Sequence, residues 1–450
     1  MKTSIIILAA GKGTRMNSDL PKVLHKIAGE PMLIHAMAAG ATVDPARTVL
    51  VTGHQGAKVA HQAQLFDARV KIAEQPEQLG TANAVAQART PLQGFEGRIL
   101  VLYGDTPFIR PETLARMLEV LDEKDVVVLG FEAKDPARYG RLVMDGMQLE
   151  RIVEYKDASE SERKITLCNS GVIACDAALL FDLIDAVDNN NASGEYYLTD
   201  IVGIARARGL RTTAVTCDEA ETLGINARDD LAAAEAAFQT RARAEMMENG
   251  VTLVAPQTVY FARDTVIGRD TIVEPNVVFG PGVTVENGAR IRAFSHLEGC
   301  HVSSGTTVGP YARLREGTEL SENVRVGNFV EIKNAQIAEG AKVNHLTYIG
   351  DASIGAAANI GAGTVTCNYD GVMKHRTRIG AGAFIGSGTM LVAPVSVGEG
   401  ALTGSGSVIT SDVEADALAL GRAHQVEKPG MARKLMEMLK AQKAKMERGS

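Results

Sequence analysis

The feature that most constrains the fold of this chain is a six-residue repeat in its C-terminal part. Glycine directly follows several of the repeated residues, as in Ile349-Gly350 and Ile385-Gly386. Aliphatic or aromatic residues recur at every sixth position, first at Ile267, Val273, Phe279, Val285, Ile291 and Leu297, and finally at Ile379, Ile385, Leu391 and Val397. Three such repeats complete one triangular coil of a parallel β-helix, with the apolar residues stacked inside and glycines at the corners. The pattern predicts a left-handed parallel β-helix of hexapeptide repeats.

The repeat is interrupted once, between Ile360 and Ile379. The inserted residues, 361–376, include the polar run Cys367-Asn368-Tyr369-Asp370-Gly371. An insertion into a solenoid coil must leave the coil as a loop, and such loops often carry function. We therefore expect this loop to contribute to a binding site.

The N-terminal part alternates short apolar runs with amphipathic or alanine-rich stretches. The runs are residues 5–8, 49–51, 99–102 and 126–129. Each is apolar on both faces, as expected of parallel strands covered by helices. We predict a doubly wound, Rossmann-like α/β domain, whose ligands bind at the carboxyl ends of the strands.

Three segments follow from these patterns. Residues 1–227 form the α/β domain, residues 228–250 a linker helix rich in alanine, and residues 251–450 the β-helix with a helical tail. The tail, residues 431–445, is basic. We interpret it as a solvated helix, and binding of RNA, of a membrane face or of a phosphate-bearing small molecule are the alternatives.

Composition excludes several functional classes. The chain has 47 basic and 54 acidic residues, a net charge of −7, which argues against nucleic-acid binding. No apolar run approaches the roughly 18 residues of a membrane span. The five cysteines are dispersed and form no CxxC pair, which favours a reducing cytoplasm over a disulfide framework or zinc site. They are Cys168, Cys175, Cys217, Cys300 and Cys367.

A glycine-rich loop, Leu8-Ala9-Ala10-Gly11-Lys12-Gly13-Thr14-Arg15-Met16, follows the first predicted strand. It matches neither a Walker A loop nor the dinucleotide fingerprint. Its small residues still allow backbone N–H groups to approach phosphates, while Arg15 and Lys22 can neutralise phosphate charge. Because such turns are common, an ordinary turn is the alternative interpretation.

Two further side chains suggest chemistry. Asp105 follows the predicted strand 99–102, where a carboxylate can hold Mg²⁺ or simply cap a turn. His345 lies inside the repeat and has the residue type suited to accept a proton near neutral pH, although it could also be a surface residue. Glu331, upstream in the coils, is a candidate to orient that imidazole.

Taken together, the motifs resemble a known enzyme family. The loop with Pro21-Lys22 is similar to that of sugar-phosphate nucleotidylyltransferases, and Gln75, Glu77-Gln78-Leu79-Gly80-Thr81 and Tyr103-Gly104-Asp105 narrow it to N-acetylglucosamine-1-phosphate uridylyltransferases. With the hexapeptide domain, the chain resembles the bifunctional bacterial enzymes that are also glucosamine-1-phosphate acetyltransferases. The resemblance runs from Ser4 to about Lys428.

The resemblance implies roles for residues of the N-terminal domain. Arg15 and Lys22 would be catalytic, and Asp105 with Asn226 would hold Mg²⁺. The residues implied to bind UTP and UDP-N-acetylglucosamine are Leu8, Ala9, Ala10, Gly11, Lys22, Gln75, Gly80, Thr81, Tyr103, Gly104, Asp105, Gly140, Glu154, Asn169 and Asn226.

The resemblance also implies a second set in the β-helix. His345 would be the proton acceptor, assisted by Glu331. Residues implied to hold the sugar phosphate are Arg315, Lys333, Tyr348 and Asn359. Residues implied to hold acetyl-CoA are Ala362, Asn368, Tyr369, Ser387, Ser405 and Arg422.

The resemblance thus implies a cytoplasmic homotrimer acting on glucosamine-1-phosphate, acetyl-CoA and UTP, with no nucleic-acid or membrane partner. Its product, UDP-N-acetylglucosamine, would feed peptidoglycan and lipopolysaccharide synthesis. One alternative is a nucleotidylyltransferase whose β-helix only oligomerises. Another is a catalytically silent trimeric scaffold or sugar-nucleotide sensor.

Overall fold

A computed structural model describes residues 1–448, and the chain divides into two compact units. The first unit consists of Met1–Asn249 together with Pro256–Thr265 and Phe279–Gly282. The second unit consists of Gly250–Ala255, Val266–Val278 and the chain from Val283 onward. The alanine-rich segment forms a helix, Arg228–Glu248, that is part of the first unit.

The first unit contains eleven strands and seven helices among its described residues. The strands are β1 Thr3–Ala9, β2 Lys26–Ile27, β3 Glu30–Pro31, β4 Arg47–Thr52, β5 Lys71–Glu74, β6 Arg98–Tyr103, β7 Val126–Glu132, β8 Arg141–Asp145, β9 Gln148–Val153, β10 Leu167–Asp176 and β11 Thr212–Cys217. The helices are α1 Met32–Ala41, α2 Gly56–Phe66, α3 Thr81–Ala86, α4 Pro111–Leu121, α5 Ala177–Asp185, α6 Asp200–Ala207 and α7 Arg228–Glu248.

The main sheet has the strand order β11-β7-β10-β6-β1-β4-β5, and β8 joins it through β10. The four predicted apolar runs lie within β1, β4, β6 and β7. The predicted strands β1, β4 and β6 pair in parallel, whereas β10, which the apolar runs did not predict, is antiparallel to both β6 and β7. Between β7 and β10 the chain forms the β8–β9 hairpin rather than a crossover helix, so it enters β10 from the opposite end.

Both faces of the sheet are buried, as the doubly wound prediction requires. Along β1, Ile6 and Leu8 pack into one hydrophobic cluster, whereas Ile5 and Ile7 pack into another. The chain continues from β1 to β4 and β5 on one side and places β6 on the other side. The switch in direction therefore lies beside β1, where open α/β sheets bind their ligands.

The second unit is built from three stacks of short parallel strands, one stack for each side of a triangular coil. The first stack contains Thr252–Leu253, Ile272–Val273, Arg290–Ile291, Thr307–Val308, Arg325–Asn328, Lys342–His345, Asn359–Ile360, Phe384–Ile385, Leu402–Thr403 and Leu418–Ala419. The second stack contains Val266–Ile267, Thr284–Val285, Cys300–Val302, Thr318–Leu320, Thr377–Ile379 and Val395–Val397.

The third stack contains Val278–Phe279, His296–Leu297, Arg313–Leu314, Val365–Cys367, Met390–Val392 and Val408–Ile409. Two longer strands, Glu331–Ile337 and Tyr348–Ile354, turn a corner and pair in both the second and third stacks. The predicted repeat positions, such as Ile291 and Leu297, are fully buried. The parallel coils confirm the hexapeptide architecture and are consistent with a left-handed β-helix.

The inserted segment leaves the coil after Val365–Cys367, and the chain re-enters at Thr377–Ile379. The C-terminal tail forms the helix α8, Met431–Arg448. Within residues 1–448, no helix has both the length and the apolar character needed to cross a bilayer.

Candidate active sites

A cavity of about 310 Å³ lies at the carboxyl ends of β1 and β6. Ten of the residues that the sequence analysis singled out line it, namely Leu8, Ala9, Ala10, Gly11, Lys22, Gln75, Gly80, Thr81, Tyr103 and Asp105. The sequence analysis did not assign roles to four other lining residues, Val23, Gln78, Ala84 and Glu195. Gln78 belongs to the motif Glu77-Gln78-Leu79-Gly80-Thr81, so its place beside Gly80 and Thr81 could have indicated that it lines the cavity.

Hydrogen bonds fix the loops around this cavity. The Gly104 N–H donates to the Leu8 carbonyl at 2.9 Å and holds the end of β6 against β1. The Gln78 amide donates to the Ala10 carbonyl at 2.6 Å. Gly80 has a φ of +115°, and a Cβ there would overlap the backbone of Tyr196. A side chain at this position would therefore both strain the loop and displace its neighbour.

Lys22, Asp105 and Asn226 converge at one side of the cavity. The Lys22 ammonium donates to the Asp105 carboxylate and, at 3.1 Å, to Asn226 Oδ1. Asp105 and Asn226 thus direct two oxygen atoms at a single cationic group. The side chains of Lys22 and Asp105 are only 12% and 22% exposed, so this cluster of charge is largely withdrawn from solvent.

Backbone contacts bring the Asn226 loop to this position. The Ile225 N–H donates to the Asp105 carbonyl at 3.1 Å. The Asp230 carboxylate accepts from the Asn226 N–H at 2.8 Å, at the beginning of α7. The oxygen set of Asp105 and Asn226 is of the kind that Mg²⁺ prefers, and it needs few protein ligands. The residues present therefore fit the implied metal.

The three residues implied to bind the sugar also come together. A Cβ on Gly140 would lie 3.4 Å from Glu154 Oε1 and 3.5 Å from Asn169 Cβ. Burial raises the pKa of Glu154, and its Oε1 accepts from the Thr199 hydroxyl at 3.3 Å. Tyr103 lines the cavity at β1 and β6 and also lies close to this group. Burial, and then the charges of Glu154 and Asp105, raise the pKa of its hydroxyl.

Arg141 is a positioning residue that the sequence analysis missed. Its side chain is almost completely buried. Its guanidinium donates to the carbonyls of Ala137 at 3.1 Å, Arg163 at 3.2 Å and also Tyr139. Arg141 therefore ties together the loops on either side of Gly140 and Glu154. No sequence signal distinguished it from a surface arginine.

Arg15 is not part of the wall of the cavity at β1 and β6. It is exposed on the short turn Thr14–Met16. Its catalytic role stays a prediction.

A cationic cluster marks the second site, on the β-helix. Arg315 pairs with Glu331 at 2.8 Å. The neighbouring Lys374 ammonium, and then the Arg315 charge, lower the pKa of Lys333. Lys374 belongs to the inserted loop. The sequence analysis expected this loop to contribute to a binding site but did not assign a role to Lys374. Two positive charges on the coils, those of Arg315 and Lys333, thus lie close to a third on the inserted loop, that of Lys374.

The imidazole of His345 has a different partner from the one expected. Its Nδ1 lies 3.0 Å from Asn328 Oδ1, seventeen residues earlier in the chain. Strand register explains the contact, because Asn328 pairs with His345 on one stack whereas Glu331 pairs with Tyr348 on the next. The side chain that contacts the His345 imidazole is therefore Asn328, whereas Glu331 accepts a hydrogen bond from Arg315.

Four residues implied to hold acetyl-CoA form a column along successive coils. The Gly388 N–H donates to the Ala362 carbonyl at 2.7 Å, and the Gly406 N–H donates to the Ser387 carbonyl at 2.8 Å. The Arg422 guanidinium donates to the Ser405 carbonyl at 2.7 Å. His345 begins the same column, because its carbonyl accepts from the Gly363 N–H at 3.1 Å.

The inserted loop holds the other two, Asn368 and Tyr369. The buried Asn368 amide donates to Asp351 at 2.5 Å, whereas Tyr369 is exposed and donates to the Gly371 carbonyl at 2.5 Å. His375 and two backbone N–H groups hold the Asp370 carboxylate and lower its pKa to about 2. Among the described residues, no side-chain hydrogen bond connects Asn359 to this site.

Family models match both units. Residues 5–166 match the MobA-like NTP transferase domain, and residues 264–299 and 376–411 match the bacterial transferase hexapeptide of six repeats. The first match covers strands of the sheet that carries the 310 Å³ cavity, and the second covers coils on either side of the second site. The NTP transferase match is consistent with chemistry on nucleotide sugars.

Curated relatives match the whole chain. A bifunctional protein GlmU of Roseobacter denitrificans is 68% identical over 451 residues, covering 100% of both chains. A bifunctional protein GlmU of Ruegeria pomeroyi is 69% identical over 444 residues, covering 99% of both. One from a Ruegeria species is 66% identical over 449 residues, covering 100% of both. With this identity over its full length, the chain belongs to the family of the bifunctional GlmU proteins.

Proposed function

We propose that the two activities of this bifunctional enzyme reside in separate units and together make UDP-N-acetylglucosamine. The β-helix acetylates glucosamine-1-phosphate with acetyl-CoA, and the α/β unit transfers UMP from UTP to N-acetylglucosamine-1-phosphate, releasing pyrophosphate. The observation that carries the proposal is the presence of two clusters of functional side chains, one around Lys22 and Asp105 and one around His345. The nucleotide sugar is a precursor for cell-wall synthesis.

In the α/β unit, we assign the nucleotide to the 310 Å³ cavity. Backbone N–H groups of residues 8–11 and the Lys22 ammonium would bind its phosphates. The sugar phosphate is largely dianionic at neutral pH, since its second pKa is about 6, so it attacks without a general base. The residues need only place the reactants in line and offset the charge on the departing pyrophosphate.

We assign Mg²⁺ to Asp105 and Asn226. When bound, the ion would neutralise phosphate charge and hold the nucleotide oxygens in place. Lys22, which bridges the same two side chains, would then carry its positive charge to the phosphates. The buried Glu154, with Gly140 and Asn169, would hold the sugar hydroxyl and amide groups.

In the β-helix, His345 accepts the proton. The amine nitrogen of glucosamine-1-phosphate attacks the thioester carbonyl, the C–S bond breaks, the CoA thiolate departs and the ammonium proton passes to the imidazole. When Nδ1–H donates to Asn328 Oδ1, Nε2 keeps its lone pair for that proton. Arg315 and Lys333, with Lys374 and Tyr348, would hold the sugar phosphate.

We assign acetyl-CoA to the column of Ala362, Ser387, Ser405 and Arg422, with the loop residues Asn368 and Tyr369. The first three would supply backbone groups to an extended pantetheine arm, and Arg422 a positive charge to a CoA phosphate. The column begins at His345, so a donor bound along it would have its acyl end beside the proton acceptor.

An exposed aromatic ladder supports the homotrimer. The rings of Phe294, Tyr311 and Phe329 stack on successive coils, with centroids 4.9 and 5.2 Å apart. They are 51%, 47% and 55% exposed, and Leu346 extends the row. Tyr311 and Phe329 also line a groove of about 440 Å³ together with Glu331 and Tyr348. We assign a second copy of the chain to this row, beside the acetyl-transfer site.

We also place the enzyme in the cytoplasm, where UTP and acetyl-CoA are available. The five cysteines are all free thiols, as a reducing compartment would leave them.

The test is a paired assay of the purified wild type and His345→Ala. Glucosamine-1-phosphate, acetyl-CoA, UTP and Mg²⁺ are supplied, and free thiol and pyrophosphate are followed separately. The variant should lose thiol release while still making pyrophosphate from N-acetylglucosamine-1-phosphate. If the wild type released no thiol, the β-helix would be an oligomerising domain and only the uridylyl transfer would remain.

A further inference from the structure

A second cavity of the first unit, about 560 Å³, contains none of the residues discussed as active. Its walls come from α1, from the segment that follows Asp105, from α7 and from residues 256–265. It shares no lining residue with the nucleotide cavity. Its volume lies within the range of roughly 300–1,000 Å³ typical of small-molecule sites.

Three arginines line this cavity, namely Arg110, Arg241 and Arg263. The Arg241 guanidinium lies over the rings of Phe108 and Phe238, 5.4 and 5.7 Å from their centroids. Within residues 1–448, neither Arg241 nor Arg263 has a carboxylate within 4.0 Å. Arg110 has only long contacts, at 3.9 Å to Glu221 and 4.0 Å to Asp218. The carboxylates of Glu112 and Glu245 also line the cavity, but within residues 1–448 neither lies within 4.0 Å of a nitrogen of these three guanidinium groups.

The charges affect their neighbours as like charges without a counter-ion should. Burial, and then the charge of Arg110, lowers the pKa of Arg241, while Glu245 and Glu221 act in the opposite direction. Burial lowers the pKa of His35, at the wall of the cavity, to about 4, and the charges of Arg263 and Arg241 contribute to this. The cavity is lined by three guanidinium groups and two carboxylates, so the net charge of its wall is positive.

An unpaired hydroxyl in the same wall is an independent observation. Thr265 lines the cavity and is only 6% exposed. No hydrogen-bond partner lies within reach of its Oγ1 anywhere in the described chain. Buried hydroxyl groups are normally hydrogen-bonded, and each exception calls for a missing partner.

We propose that this cavity binds a phosphate-bearing small molecule, with Arg241 and Arg263 as its principal ligands. Guanidinium groups bind phosphate oxygens through paired hydrogen bonds, and a phosphate supplies both the missing counter-charge and acceptors for several donors. The aromatic rings beneath Arg241 hold its guanidinium in place before the anion arrives.

The position of the cavity connects it to the nucleotide site. Phe108 and Arg110 belong to the segment that leaves Asp105. The Arg110 N–H and the Thr113 hydroxyl donate to the buried Glu221 carboxylate at 3.0 and 2.8 Å. Glu221 in turn precedes Asn226. An anion that draws the Arg110 guanidinium away from Glu221 would therefore act on both side chains assigned to Mg²⁺, and the bound molecule would be a regulator of uridylyl transfer.

The first test measures how inorganic phosphate stabilises the full chain. The melting temperature is followed against phosphate at constant ionic strength for the wild type and for Arg241→Gln/Arg263→Gln. The control, Lys58→Gln/Lys71→Gln, removes two exposed positive charges from the same unit. Any phosphate bound at the proposed nucleotide and acetyl-transfer sites would affect all three proteins alike, because those sites are unchanged. Only the difference between the proteins therefore reports on this cavity.

We expect the wild type and the control to gain about 3 °C more than the double variant at saturating phosphate. Equal gains in all three proteins would overturn the proposal. Crystals of the wild-type chain soaked in selenate give a measurement that does not depend on the variant folding. An anomalous peak bonded to Arg241 and Arg263 supports the proposal, and peaks at the other sites without one here would refute it.

Discussion

The two units assemble their active sites in opposite ways. In the α/β unit, Lys22 contacts Asp105 across 83 residues of sequence and Asn226 across 204 residues. In the β-helix, His345 contacts Asn328 across 17 residues, which is one coil. The first site depends on the order of strands in a sheet, whereas the second depends on a local repeat. A change in a coil should therefore remain within one activity, and a change in the Lys22 cluster within the other.

Among the variants that test this separation of activities, Asp105→Ala should have the largest effect. The variant removes a carboxylate assigned to Mg²⁺ and should lower the rate of uridylyl transfer by about 10³-fold, the upper range for losing one group that stabilises transition-state charge. Acetyl transfer in the same sample should be unchanged. Pyrophosphate and free thiol are measured in parallel, with Asp145→Ala, an exposed carboxylate of the same unit, as the control.

Loss of both activities would show that the units are not independent. If the rate of uridylyl transfer fell by less than about tenfold, the assignment of Asp105 as a Mg²⁺ ligand would be wrong.

Gly327→Ala tests the opposite unit through its backbone. A Cβ at residue 327 would overlap the backbone of Asn344 in the next coil. Because backbone atoms must shift, we expect the β-helix to lose about 3 kcal/mol of unfolding free energy. The control, Gly340→Ala, meets no atom within 4 Å and should cost only about 1 kcal/mol for its φ of +67°. Thermal unfolding is measured for both variants, and the heat-inactivation of acetyl transfer and of uridylyl transfer shows which unit has been destabilised. Equal losses of unfolding free energy for Gly327→Ala and Gly340→Ala would contradict the prediction.

A buried histidine makes a prediction for the α/β unit alone. His35 is buried, its pKa is lowered to about 4, mainly by burial, and its Nε2 lies 2.9 Å from the Ile27 carbonyl. The unfolded chain therefore binds a proton between about pH 6.5 and pH 4 that the folded chain does not. Stability from the neutral imidazole is complete above about pH 6.5 and falls by up to about 3 kcal/mol as the pH drops to about 4.

Denaturant unfolding between about pH 4 and pH 7 checks this expectation. His35→Gln keeps a hydrogen-bond donor but does not titrate, so its stability should depend less on pH over that range. Parallel curves for the two proteins would show that His35 does not contribute this dependence. Arg263, Arg241 and Glu235 are the charged groups that act on the ring, and they remain in both proteins.

The contrast between the units also decides what the sequence could predict. The six-residue period predicted the coils and the residues buried inside them, because each hexapeptide forms one side of a triangular coil. In the α/β unit the apolar runs predicted four strands, but not the antiparallel β10, because direction depends on how the chain returns through the hairpin. Side-chain partners such as Arg141 with its carbonyls needed the folded structure.

Asn328 could have been found from the sequence and was not. Residue type alone favours Glu331, because a carboxylate commonly orients a catalytic imidazole. The length of one coil, however, places residue 328 beside residue 345 and residue 331 beside residue 348. The length of one coil in the repeat therefore predicts the contact between Asn328 and His345. No repeat in the sequence predicts the contact between Lys22 and Asn226, which are 204 residues apart.

Asn328→Ala sharpens the comparison, because it removes only the orientation of His345. The turnover number for acetyl transfer should fall by about tenfold to a hundredfold, with the KM for glucosamine-1-phosphate unchanged, since misplacing a base affects the chemical step. The control is Asn344→Ala, which removes the same type of side chain beside His345. Rescue by Asn328→Asp, which keeps the acceptor, is expected, and a change confined to KM would argue against a positioning role.

Lys374→Ala is expected to have the smallest effect, because it changes one of three charges. The inserted loop brings Lys374 close enough to Lys333 to lower the pKa of that ammonium. Two cations are held together in this way when an anion is to be bound between them. The variant should raise the KM for glucosamine-1-phosphate about tenfold, leave the turnover number unchanged, and make the KM less dependent on salt. Lys342→Ala removes an exposed charge from a neighbouring strand and should change neither quantity. If Lys374→Ala instead lowered the turnover number at saturating substrate, the loop would act on the chemical step, and the division between a coil that performs chemistry and a loop that binds the phosphate would fail.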